Sequence, residues 1–241
     1  MSRTVAVFFD VDFTLIFPGP RFQGVGYEQT CAKYDVAIDR SRFDAAVAGA
    51  ADLLHSGDHL HDPQLFVNYT RRIIELMGGA GPDLDAIARE IYDDWATHHH
   101  FSLYDDVAET LRQLQARDVR VGLISNANRS LDTFQSHFAL HGLIAGWVSS
   151  SDHGYMKPHP SIFHAALALL DVTADEAVMV GDSLAHDVRG AEQAGMRGIL
   201  LDRAGTVPVS SEVTVIRSLA DLPALLDEYG APGTGRAARR R

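Results

Sequence analysis

Val5-Ala6-Val7-Phe8-Phe9-Asp10-Val11-Asp12-Phe13-Thr14 decides the fold. Its first five residues are apolar without alternation, the pattern of a central parallel strand covered on both faces. Two carboxylates follow at i and i+2, and in extended geometry such positions point the same way. Like charges aimed at one point repel each other and lose water, which makes the pair a poor structural device. It suits a nucleophile and an acid/base partner that share one substrate.

Outward from this stretch, Leu15-Ile16-Phe17 run into Pro18-Gly19-Pro20, which break the strand. From about residue 24 to 98 only helical signals occur. Tyr27 to Tyr34 is a short candidate, and Asp39 or Ser41 can cap a helix reaching about His55. Asp62-Pro63 opens another to about Met77, stopped by Gly78-Gly79. Pro82-Asp83 opens a fourth to about Thr97, with Leu84, Ile87, Ala88, Ile91 and Trp95 at helical spacing. This stretch predicts a bundle of about four helices.

From about Leu103 the pattern alternates. Helices are expected after Asp105/Asp106, around Leu131 to Phe138, from Pro160 to Leu170, from Leu184 to Ala194 and from Leu219 to Tyr229. Between them lie strand-like runs at Val119 to Ile124, Gly146 to Ser149, Ala177 to Val180, Gly198 to Leu201 and Val213 to Ile216. Such alternation implies an α/β fold with a doubly wound parallel sheet. The expected organisation is an α/β core from residues 1–16 and 101–230, with an all-helical insert at 17–100. A basic tail at 231–241, holding four of the 21 Lys and Arg residues, is expected to be disordered.

The 241 residues carry a net charge of −11, which argues against nucleic acid as a partner of the folded body. Cys31 is the only cysteine, so no internal disulfide forms, and a reducing compartment is the natural setting. Met1-Ser2-Arg3-Thr4 leads straight into a strand, and no apolar run is long enough to span a membrane. A cytoplasmic protein, monomer or homodimer, with no membrane partner is the expectation.

In a doubly wound sheet the ligand sits beyond the carboxyl ends of the strands. The residues there are Asp10 and Asp12, Ser125 and Asn126, then Asp182 with Asp187 in the following turn. Lys157, one of only two lysines beside 19 arginines, precedes a helix start. Several aspartates in one cleft repel unless a cation joins them, and all-oxygen ligation suits Mg²⁺. With Lys157, such an ion would admit a phosphate dianion, whose oxygens Ser125, Asn126 and backbone N–H groups near Val11 and Asp12 could hold. One carboxylate would attack phosphorus and the other would protonate the leaving alkoxide. Fixed charges would supply most of the rate.

As a set, Asp10-Val-Asp12-Phe-Thr14, Leu123-Ile-Ser125-Asn126, Lys157-Pro158 and Gly181-Asp182-Ser-Leu-Ala-His-Asp187 resemble the four motifs of the haloacid dehalogenase-like hydrolase superfamily, in the family's order. The resemblance covers roughly two thirds of the chain, and the helical insert is similar to the family's C1-type cap. It implies a Rossmann-like core, with Asp10 as nucleophile and Asp12 as general acid/base. Metal would be held by a carboxylate oxygen of Asp10, the Asp12 carbonyl and Asp182. Ser125 and Lys157 would bind the phosphoryl group, and Asp187, with Thr14, would support the site. Most similar members have Gly where this chain has Phe13, so an altered substrate space is expected.

The leading expectation is a Mg²⁺-dependent phosphatase acting on a small phosphorylated metabolite through an aspartyl-phosphate. A sugar-phosphate phosphomutase would use the same intermediate. A 2-haloacid dehalogenase fits less well, because similar dehalogenases lack an acid at the position of Asp12. A phospho-acceptor receiver domain is about half this length. His98-His99-His100 reads as a polar helix end, since consecutive helical residues point about 100° apart. Gly24-Val-Gly26 lacks a preceding strand, and Asn68-Tyr69-Thr70 matches a glycosylation acceptor without a secretory leader. Arg21, Phe22, Tyr27, Arg71 and Arg72 are expected in the insert's core or on its solvated face.

Overall fold

The computed structural model describes residues 3–55, 57–127, 129–207 and 213–230. The predicted basic tail at 231–241 lies outside them. In chain order the first elements are β1 (Ala6–Phe9), β2 (Ile16–Pro18), α1 (Gly24–Ala32), α2 (Phe43–Ala50), α3 (Pro63–Leu76), α4 (Leu84–Trp95) and β3 (Phe101–Leu103). Next come α5 (Val107–Gln115), β4 (Arg120–Ser125), α6 (Phe134–His137), β5 (Gly146–Ser149), α7 (Ser150–His153) and α8 (Pro160–Leu169). β6 (Ala177–Gly181), α9 (Gly190–Gln193), β7 (Arg197–Leu201), β8 (Thr214–Ile216) and α10 (Leu222–Gly230) complete the chain.

Six strands form one sheet in the order β5-β4-β1-β6-β7-β8, and every pairing is parallel. β1 is central. Phe9 sits opposite Leu123 on β4 and Val180 on β6, so three strands end side by side. Their apolar runs serve both faces of the sheet. Val7 and Phe9 pack into one core cluster, while Ala6 and Phe8 pack into another with Ile124, Ile162, Phe163 and Met179. Gly122 makes the second packing possible: a Cβ there would stand 2.5 Å from the Phe8 ring. Strand order turns from one side of β1 to the other, and such switch points open a crevice beyond the strand ends.

Between β2 and β3 the chain is helical, as its sequence predicts. Asp62 caps α3 by accepting from the Gln64 N–H, with Pro63 at the first helical position. α3 and α4 pack through Val67, Ile73, Ile74, Leu84, Ile87 and Ile91. Arg21 ties the layer together, donating to Asp94 (2.6 Å) and to Thr30.

The structure differs from the sequence expectation in several elements. The helix expected from Asp39 or Ser41 is three pieces. Asp39 caps a 3₁₀ turn at Arg40–Arg42, α2 follows, and a second 3₁₀ turn runs over Ala51–His55. The helix expected from Leu184 opens as a π-helix, Leu184–Arg189, where the Ser183 hydroxyl accepts from the His186 N–H and the Asp187 carboxylate accepts from the Ser183 N–H. β2 and β3, unpredicted, form an antiparallel pair in which Ile16 faces Leu103. At three residues each they are too short to show periodicity.

Candidate active site

β1 leads directly to Asp10, whose own N–H donates to the Val180 carbonyl at 2.9 Å. That bond fixes Asp10 at the junction of β1 and β6. The Lys157 ammonium lies 2.5 Å from Asp10 Oδ1 and 2.7 Å from Asp187 Oδ1. Lys157 and Asp187 are both buried. Asp10, Asp182 and Asp187 each offer a carboxylate oxygen, all within 4.8 Å of one another. Gly181 permits this gathering: a Cβ there would stand 2.2 Å from Asp187 Oδ2.

The electrostatics of this centre are unbalanced. Burial pushes the Asp10 carboxyl well above its ordinary value. Lys157 opposes the shift, and the charges of Asp187 and Asp182 add to it. Asp182 is exposed by surface area, yet protein crowds its carboxyl. Loss of water, then the charge of Asp187, pushes its carboxyl up to about 7. Burial works against the Lys157 ammonium, but Asp10 and Asp187 overcome it and hold its pKa above the ordinary lysine value. Three carboxylates thus share one fixed cation, and a divalent ion would restore the balance. The all-oxygen donor set fits Mg²⁺.

Four other predicted residues converge on the same end of the sheet. Ser125 closes β4, and its hydroxyl is buried with no protein partner among the described residues. The Thr14 hydroxyl is buried in the same condition. Asn126 has a task that its sequence position does not reveal. Its amide donates to the Lys157 carbonyl (2.9 Å) and accepts from the Lys157 N–H (2.7 Å). It therefore holds the backbone of the lysine that reaches Asp10. Asp12 Oδ1 accepts from Arg129 at 2.9 Å.

Arg129 is a site residue that the strand-end reading misses. Its guanidinium is buried over the Phe101 ring at 4.0 Å and donates to the Trp95 carbonyl at 3.0 Å as well as to Asp12. Arg203 is another. It donates to the Thr14 carbonyl at 2.8 Å, pairs with both oxygens of Asp106, and so anchors the turn after Asp12. Arg129 lies four residues past β4 and Arg203 two past β7, and the strand-end reading, which looks for acids, hydroxyls and amides, passes over both. An arginine four residues past the end of β4 was the available signal.

Phe13 has φ of +63°, the left-handed region that side chains adopt at a cost and glycine does not. Its ring is 45% exposed and lies 6.4 Å from Trp95. Both rings line a cavity of about 540 Å³ between the strand ends and the helical layer. Phe22 and Tyr27 line it too, whereas Arg71 and Arg72 pair with Glu75. The His98 ring meets Phe134 and Phe138 in edge contacts with the ring planes at 75°, with Nε2 3.1 Å from the Thr133 hydroxyl.

Comparison with known proteins gives the same direction. A family model described as a haloacid dehalogenase-like hydrolase matches residues 4–195. N-acylneuraminate-9-phosphatase of Rattus norvegicus is 29% identical over 94% of this chain and 95% of its own length. Phosphoserine phosphatase of Thermus thermophilus is 31% identical over 63% of this chain and 60% of its own. Among solved structures, a magnesium-bound HAD-hydrolase of Bacillus subtilis superposes with a TM-score of 0.75 at 17% identity, covering 94% of this chain and all of that one. A 2-haloacid dehalogenase of Pseudomonas syringae superposes with a TM-score of 0.64 at 24% identity, covering 94% of this chain and 99% of its own. These two likenesses concern the fold.

Proposed function

Because the chain belongs to the haloacid dehalogenase-like hydrolase family, we propose that it is a phosphoric monoester hydrolase that works through an aspartyl-phosphate on Asp10. The observation that carries this reading is the buried contact of Lys157 with Asp10 and Asp187, beside Asp182. The carboxylate of Asp10, the ammonium of Lys157 and the carboxylates of Asp182 and Asp187 stand together at one end of the sheet. The phosphatase names of its relatives support the same reaction.

Asp10 attacks phosphorus and the bond to the ester oxygen breaks. Asp12, which lines the cavity, gives its proton to the departing alkoxide. In the second half, Asp12 takes a proton from water as that water attacks phosphorus, and Asp10 is released. Ser125 Oγ and the Lys157 ammonium hold the nonbridging oxygens. Asp10 and Asp182 would hold Mg²⁺ with the Asp12 carbonyl, and Asp187 would support them. The ion would supply charge neutralisation for the dianion. The helices between β2 and β3 act as a cap that keeps bulk water from the reacting centre.

The test is phosphate release from a panel of phosphate monoesters, with Asp10→Asn as the control. The near-isosteric change is expected to abolish turnover and leave the circular dichroism spectrum and melting temperature close to those of the parent. EDTA is expected to silence the enzyme and Mg²⁺ to restore it. Turnover retained by Asp10→Asn, or halide release from 2-haloacids in place of phosphate release, would overturn the reading.

A further inference from the structure

The cavity above Asp12 has a chemistry of its own. Its volume of about 540 Å³ falls in the range of ~300–1,000 Å³ typical of sites that enclose a drug-sized ligand. Of its nineteen lining residues eight are aromatic and six are aliphatic, counting Pro18. None is Lys, Arg or His. The two charged residues on the wall, Asp12 and Asp44, are both acidic. Nearby cations are engaged elsewhere: Arg21 by Asp94, Arg129 by Asp12, and Lys157 by Asp10 and Asp187.

Phe13 sharpens the point. The chain places a phenyl ring at a backbone position with φ of +63°, where glycine would sit without strain. The ring is half-exposed and faces Trp95 across the cavity wall. Backbone strain retained beside a reacting centre is a pointer to function. Here the strained residue adds apolar surface to the space above Asp12.

We infer that the alcohol part of the substrate is uncharged and largely apolar, an alkyl, prenyl or aryl group enclosed by this cavity. The inference rests on the phosphatase reading of the same site. Sugar acids, bisphosphates and phosphoserine carry a second anionic group, and this wall offers it no cation: its charged residues are Asp44 and Asp12, the latter already paired with Arg129. A buried anion without a partner is strongly disfavoured. Apolar surface entering the cavity is favoured in proportion to its area.

The experiment compares kcat/KM across ethyl, butyl, hexyl and octyl phosphate below their micellar concentrations. Their leaving alkoxides are almost equally basic, so the chemical step is constant and the series reads the pocket. A gain of about fourfold per methylene is expected until the cavity is filled. 3-Phosphoglycerate and phosphoserine are expected to fall below butyl phosphate. Phe13→Gly, at a position that suits glycine, is expected to flatten the slope. Acetyl phosphate, small and activated, reports phosphoryl transfer without needing the cavity. If acetyl phosphate is hydrolysed while the alkyl series is flat or falls with length, the inference fails and the phosphatase reading stands. If no ester and no acetyl phosphate releases phosphate, both fail together.

Discussion

Arg129 is among the largest fully buried side chains, and its charge is balanced by Asp12 at 2.9 Å. Removing one partner of such a pair leaves the other charge uncompensated, at a cost of about 3–5 kcal/mol. Arg129→Met is therefore expected to lower unfolding free energy by about that amount in urea denaturation. It should also reduce kcat, because Asp12 loses its orientation. Arg129→Lys keeps the charge but not the fork that reaches both Asp12 and the Trp95 carbonyl, so it should recover only part of either quantity. His98, next to this arginine, gives a pH effect of definite sign. Burial, then the Arg129 charge, pushes its pKa down to about 4, against about 6.5 in an unfolded chain. The unfolded state binds the proton first as pH falls, so this contribution to stability is complete above about pH 6.5 and is lost toward pH 4. The drop in melting temperature between pH 7 and pH 5 is expected to be smaller in His98→Gln than in the parent.

At the scale of elements, the end of β6 shows how a strand builds the site. Gly181 has no Cβ, and Asp187 from the next turn occupies that space. Gly181→Ala forces a methyl group into the carboxylate, so Asp187 must withdraw from Lys157 and from the Ser183 N–H. The expected outcome is a large loss of kcat and weaker Mg²⁺ activation, read from a metal titration of phosphate release, with the sheet retained by circular dichroism. The strands of this site were legible in sequence because a buried parallel strand writes itself as an unbroken apolar run, and the polar residue that ends it marks where the chain leaves the apolar core. Asp10, Ser125 and Asp182 were readable on that rule. Arg129 and Arg203 were not. Their partners Asp12 and Asp106 lie 117 and 97 residues away, and no local pattern encodes such a contact. The amide of Asn126 was placed in the right strand-end turn, but its bond to Lys157 depends on how two loops meet. β2, β3 and α7, of three or four residues each, were not read as separate elements: none stands as an isolated apolar run between two helical patterns, the signal that gave β5 and β8.

Over the whole molecule, the helical layer meets the α/β layer in two places. At one, the chain itself crosses, through the paired strands β2 and β3 and the Arg129 bridge to Trp95. At the other, the segment before α3 is clasped to the segment before α8. The His61 N–H donates to the Gly154 carbonyl at 2.9 Å, and the Met156 N–H donates to the His59 carbonyl at 2.7 Å. His61 Nδ1 also lies 2.9 Å from the Ser150 hydroxyl. Leu60 and Tyr155, which face each other in this clasp, are both exposed, so its hydrogen bonds are not sealed by an apolar cover. Each such bond contributes only about 1 kcal/mol net, and the clasp should therefore open far more often than the sheet unfolds. A substrate enters a partly open cavity most easily where its walls can part, and this is the place where the connection is non-covalent and weak. Native-state hydrogen exchange tests the point: the amides of His61 and Met156 are expected to exchange by local opening, well ahead of Phe8 and Val178 at the centre of the sheet. A non-hydrolysable alkyl phosphonate bound in the cavity should slow those two amides selectively. Protection of His61 and Met156 equal to that of the sheet would mean that the layers part elsewhere, and the route to Asp10 would then have to run past the β2–β3 pair.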